Sequence, residues 1–158
     1  MNPGMHPRFA AFAERLHPAF ERLLACEPVS GGMRMPLRCP HRGVYLFSEG
    51  DQHLYVGRTN RLRVRHHEHW RPRGKHNDAP FAFRLARETS GHHSAKGGMT
   101  RTGLEAHPAF QLAFDQAKTR IAAMDFRWVE ETDPNTQCLL EVYVAIALDT
   151  PFNDFDNH

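Results

Sequence analysis

GVYLFSEGDQHLYVG, residues 43–57, is the stretch that decides the fold. Two short runs rich in β-branched and aromatic residues, Gly43 to Ser48 and His53 to Gly57, flank a turn signal at Glu49-Gly50-Asp51 and read as a β-hairpin. With the turn centred near Gly50, Tyr45 sits across from Tyr55. Side chains alternate along a strand, so Val44, Leu46, Leu54 and Val56 form one apolar face, which is the buried one. Gly43, Tyr45, His53, Tyr55 and Gly57 lie on the other. Two phenols side by side, with glycines that clear space beside them, make either a stabilising cross-strand pair or part of a site.

On the N-terminal side, Phe9 to Ala25 has helical periodicity interrupted at Pro18, which predicts one kinked helix or two short ones. Glu27 to Pro40 is rich in Pro and Gly and reads as a linker. On the C-terminal side, Arg61 to Trp70 is a basic helix. Residues 71–106 carry many His, Gly and Pro and little apolar periodicity, and are expected to be a long irregular insertion. Helical pattern returns at Pro108 to Met124, with Phe110, Phe114, Ala117 and Ile121 on one stripe. Phe126 to Val129 alternates like a strand, and Pro134 to Leu148 is a helix with Pro at its start. Three strands with helices around them predict a small α+β domain over 43–158, preceded by an N-terminal helical extension and linker over 1–42.

The chain has 158 residues, an ordinary single-domain length, and a net charge of +2 that is unevenly spread. Residues 58–101 hold 9 Arg and 2 Lys against 3 acids, or +8, whereas residues 102–158 sum to −7. A locally basic middle suits a polyanion, although an arginine-rich composition alone produces the same bias. Cys26, Cys39 and Cys138 are odd in number and widely spaced, so free thiols are expected. The longest apolar run, Val142 to Leu148, is too short to span a bilayer, and no apolar leader opens the chain. A cytoplasmic protein that does not enter a membrane is the expectation.

Beyond the hairpin, Arg58, Arg61, Arg65 and His69 follow at helical spacing. Cations gathered on one stripe are either solvated or meet an anion. Glu141 is the only charged residue between Asp133 and Asp149, in a helix that is apolar nearly all round. It points either outward beside Gln137 or inward at a cation, because an unpaired buried carboxylate costs several kcal/mol. Asn153 follows Pro151 in a loop.

Gly43-Val44-Tyr45, then Tyr55-Val56-Gly57, Arg65, His69, Glu141 and Asn153, in this order and spacing, resemble the GIY-YIG nuclease family. Val44 replaces the isoleucine of the name-giving motif. The resemblance covers residues 43–70 and 126–153, and leaves the insertion and the N-terminal segment outside it. It implies a three-stranded antiparallel sheet flanked by helices and divalent-metal-dependent hydrolysis of DNA phosphodiesters. By the same resemblance Tyr45 is the general base, with its pKa lowered by Arg58, Arg65 and His69, and Tyr55 positions water or phosphate. Arg65 stabilises the pentavalent phosphate, Glu141 holds a single Mg²⁺ or Mn²⁺, and Asn153 fixes the tyrosine and glutamate ends of the site. Arg58, Arg61, Arg73 and Lys75 are the expected DNA contacts.

Two other readings stay open. One is a nucleic-acid-binding module without catalysis. The other is a zinc protein built on Cys39, His41, His66, His67, His69, His76, His92 and His93, although neither paired Cys-x₂-Cys spacings nor His-Glu-x-x-His occurs.

Overall fold

The hairpin forms where the sequence places it, but in a different register. In the computed structural model, which describes residues 4–30, 32–91 and 100–156, β1 (Gly43–Glu49) and β2 (Gln52–Thr59) are antiparallel. Tyr45 pairs with Gly57 and Phe47 with Tyr55, and an irregularity between Phe47 and Ser48 shifts the pairing toward the turn. The expected Tyr45–Tyr55 pair is therefore a diagonal one. The turn sits on Gly50 and Asp51, and Gly50 has a φ of 59° that glycine adopts without steric cost.

The third strand, β3 (Asp125–Glu130), pairs antiparallel with β1 on its far side, giving the order β2-β1-β3. The helices are α1 (Pro7–Ala25), α2 (Leu62–Glu68), α3 (Pro80–Ser90), α4 (Arg101–Ala106), α5 (Pro108–Ala122) and α6 (Pro134–Leu148). The architecture is α+β with a small three-stranded antiparallel sheet. Pro18 lies inside α1, which is one continuous helix. Proline occupies the first turn of α1, α3, α5 and α6, where its missing N–H costs nothing. Asp133 caps α6 by accepting from the Thr136 amide at 2.8 Å.

Both faces of the sheet are buried, whereas the sequence predicted one. Val44, Leu46, Val56 and Val129 pack with Leu16, Ala19 and Leu23 of α1 and Leu140 and Val144 of α6. The N-terminal helix thus shares one core with the sheet. Leu54, expected on that face, belongs to the opposite core, beyond the irregularity in the hairpin. There Tyr45, Phe47, Tyr55 and Phe126 pack with Phe81 and Leu85 of α3 and Phe110, Phe114 and Ile121 of α5.

The described residues of 71–106 are not the wholly irregular insertion that the sequence predicted. They contribute α3 and α4, and Phe81 stacks on Tyr55 with ring planes 7° apart. The apolar residues Phe81, Ala82, Leu85 and Ala86 recur at helical spacing and are buried, in a helix of only 11 residues. The outer edges of the sheet are also occupied. Val29 exchanges both main-chain hydrogen bonds with Phe126 of β3, at 3.0 and 2.8 Å. On β2, the Leu54 carbonyl accepts from the Phe152 amide at 3.2 Å.

Candidate active site

Gly57 faces Tyr45 across the hairpin, and a Cβ at Gly57 would collide with the Tyr45 phenol. The space that this glycine clears is filled by the protein's own tyrosine, so it is not an approach path for a ligand. Tyr45 is 1% exposed, with its ring stacked on Phe126 and edge-on to Phe47 and His69.

Two groups from α2 and its end converge on the Tyr45 hydroxyl. His69, directly after the helix, places Nε2 2.7 Å from Tyr45 Oη. Arg65 donates from Nε to the same oxygen at 3.4 Å. Tyr55 completes the cluster, its ring centroid 6.5 Å from that of Tyr45 and 5.6 Å from that of His69. His69 is fully buried, and its Nδ1 has no hydrogen-bond partner among the described residues. The Tyr45 oxygen accepts from Arg65, and in the tautomer with the imidazole proton on Nδ1 the phenol donates to His69 Nε2.

The electrostatics differ from those expected by resemblance. Burial raises the Tyr45 pKa well above the ordinary tyrosine range, the neighbouring Tyr55 adds to this, and Arg65 opposes both. His69 contributes no charge, because burial, reinforced by Arg65, holds it neutral well below the usual histidine range. Tyr45 therefore keeps its proton in the unliganded state, and its nearest acceptor is a neutral imidazole.

Of the two outcomes open to the cation stripe, solvation or an anion, three of its members meet anions, and these are the protein's own carboxylates. Arg58 donates from Nε to Glu141 Oε2 at 3.0 Å. Arg61 and Arg65 both meet Glu68, at 3.4 and 3.0 Å. Sequence reasoning missed Glu68, although its i,i+3 spacing from Arg65 is a readable signal. Glu141 is half-buried, and desolvation raises its pKa against the pull of Arg58. Gln137 does not share an outward stripe with it: it is buried and donates to the Glu131 carbonyl at 2.7 Å.

Asn153 bonds neither tyrosine nor Glu141. Its side chain accepts from the Val56 amide at 2.9 Å and donates to the Val56 carbonyl at 2.7 Å, acting as one more rung on the edge of β2. Val56 stands between Tyr55 and Gly57, so Asn153 braces the strand that carries them. Arg73 and Lys75 are exposed on the loop after α2. With Glu105, Phe114 and Lys118 they line a cleft of about 360 Å³. Lys118 anchors this loop from below by donating to the carbonyls of Pro72 and Gly74 at 3.0 and 2.5 Å.

Among the described residues no three of His, Cys, Asp and Glu gather as a metal site. His66 is buried against Phe126, His69 is committed to Tyr45, and His76 to Glu105 at 2.6 Å. His92 and His93 lie outside the described residues. Glu141, the metal ligand expected by resemblance, offers one carboxylate, a donor that would suit a hydrated, weakly held Mg²⁺ better than a zinc ion.

Comparison with family models, with curated proteins and with solved structures gives no match to this chain. No helix among the described residues is long and apolar enough to cross a membrane.

Proposed function

We propose that this chain is a divalent-metal-dependent endonuclease that hydrolyses DNA phosphodiester bonds. The observation that carries the reading is the convergence of His69 and Arg65 on one phenolic oxygen, beside a second tyrosine. Packing alone gives no reason to bury an imidazole with an orphaned nitrogen. The motifs that resemble the GIY-YIG nucleases supply the same residues.

In this reading Tyr45 takes the proton of the attacking water as its own proton passes to His69 Nε2, a concerted relay in which no free phenolate has to form in the unliganded site. Arg65 stabilises the charge that develops on the phenol oxygen and on the phosphate. Tyr55 orients water or phosphate, and Asn153 holds its strand. Arg58, Arg61, Arg73 and Lys75 contact backbone phosphates. Glu141 would hold the Mg²⁺ or Mn²⁺. When bound, that ion polarises the phosphate and neutralises the leaving oxygen.

Purified protein is incubated with supercoiled, linear, branched and single-stranded DNA in Mg²⁺ or Mn²⁺, with a chelator control. Chelator-sensitive cleavage supports the proposal, and intact DNA in every combination overturns it. One observation favours a second reading, a binding module without catalysis: Arg58 already answers the Glu141 carboxylate, so that residue has a structural partner without a metal. Retention of DNA with no cleavage in either metal is the outcome that selects it.

A further inference from the structure

We infer that Glu68 is a positioning residue, which aims the Arg65 guanidinium so that its Nη2 edge meets the phosphate. The inference rests on the nuclease reading of the site.

An arginine has five N–H donors in a rigid fork. In Arg65 the Nε donor goes to Tyr45, and the two Nη1 donors go to Glu68 Oε2 at 3.0 Å and to the Asp78 carbonyl at 2.8 Å. Among the described residues Nη2 holds no hydrogen bond. Three contacts in one plane fix the fork and leave one edge for an outside acceptor.

Glu68 is suited to this task. Its side chain is 11% exposed, and Arg61 holds its other oxygen. It directly precedes His69, so the end of α2 orients both groups that reach the Tyr45 hydroxyl. The loop carrying Asp78 is held as well: its carboxylate accepts from the Lys75 amide at 3.1 Å and pairs with Arg71 at 3.2 Å. A misplacement of about 1 Å in such a constellation costs on the order of 10²-fold in rate. Glu68 also adds negative charge beside the expected phosphate. A positioning role therefore makes an unusual demand: removing the charge weakens catalysis while leaving DNA affinity equal or higher.

The test uses the full chain and the variants Glu68→Gln and Glu68→Ala. Three quantities are read: metal-free DNA affinity, single-turnover cleavage in Mg²⁺, and rotation of the Arg65 guanidinium by ¹⁵N NMR, assigned with Arg65→Lys. Expected are a hindered Arg65 signal in the parent that averages in both variants, and equal or tighter DNA binding. Cleavage slows about tenfold in Glu68→Gln, which keeps one acceptor, and about 10²-fold in Glu68→Ala. Unchanged cleavage in both variants, or a rate loss matched by an equal loss of DNA affinity, overturns the proposal. So does a freely rotating Arg65 in the parent, a measurement that needs no variant to fold. A parent that cleaves no DNA refutes the nuclease reading and, with it, the catalytic purpose assigned to Glu68; the NMR signal then reports only the ion pair.

Discussion

Tyr45 shows how much one residue depends on its surroundings. Its ring belongs to the core, packed on Phe126, while its oxygen belongs to the proposed chemistry. Tyr45→Phe keeps the first role and removes the second. Expected is a folded protein with unchanged DNA affinity and cleavage slowed on the order of 10²-fold or more, the usual scale of a lost general base. A variant that cuts as fast as the parent assigns proton transfer to another group. Gly57 is tested in the opposite sense. A methyl group there runs into the Tyr45 phenol, and overpacking of this kind costs about 1–3 kcal/mol. Gly57→Ala should lower the melting temperature by several degrees and reduce cleavage, because the phenol must turn away from His69. An unshifted melting curve would mean that the hairpin yields at no cost.

Helix α2 and the residue after it turn two histidines inward, and this gives stability a defined pH dependence. His66 is 5% exposed and burial lowers its pKa to about 4; His69 is lowered well below its ordinary value. Both are neutral in the folded chain at neutral pH. Below about pH 6.5 the unfolded chain takes up protons that the folded chain refuses, so stability is complete above that pH and falls as pH drops. His66 alone accounts for a loss of about 3 kcal/mol by pH 4. Urea unfolding at pH 7, 6 and 5 checks this, and a flat profile would show that these histidines are not held neutral. Between β2 and α6, the Arg58–Glu141 pair sets a competition. If Glu141 receives the divalent cation, Arg58→Gln should strengthen Mn²⁺ binding about three- to fivefold, the equivalent of releasing a partly exposed ion pair. Titration of the free Mn²⁺ electron paramagnetic resonance signal measures it, and unchanged affinity would remove Glu141 as the ligand.

These elements also mark how far the sequence could be read. The strand run GVYLFS and the Pro134 start of α6 are local signals, and both describe the structure. The register of the hairpin is not local, since it depends on the irregularity after Phe47, and that decides whether Tyr45 faces Tyr55 or Gly57. Helix α3 had readable punctuation in Pro80 and Gly91, which the surrounding glycines and histidines obscured. The partners of Asn153 and Arg58 lie 97 and 83 residues away, and no spacing rule reaches that far. The tyrosines, Arg65 and His69 were legible as a group; the buried state of that group was not, because the helix that covers it comes from the insertion.

On the scale of the whole molecule, charge is concentrated between residues 58 and 101, at +8. That sum already includes Glu68, which pairs with Arg61 and Arg65, and Glu141 from outside the segment meets Arg58, while the exposed Arg73 and Lys75 lie on the loop anchored by Lys118. Arg73→Ala and Lys75→Ala should each reduce the slope of log affinity against log salt by about one phosphate contact, with little effect on the rate of bound-state cleavage. Arg65→Ala should do the reverse. Equal slopes and equal rates across the three variants would reduce Arg65 to one more backbone contact.

The occupied edges of the sheet have their own consequence, for self-association. An open strand edge offers unpaired amides and carbonyls on which a second chain can grow, which is the usual route to swapped dimers and fibrils. Here Val29 and Cys26 engage Phe126 and Trp128 on one side, while Phe152 and Asn153 engage Leu54 and Val56 on the other. Two segments far apart in the chain thus act as stoppers, and what they exclude is polymerisation through the sheet. Loss of either would bare part of a strand edge and open a route to association between chains.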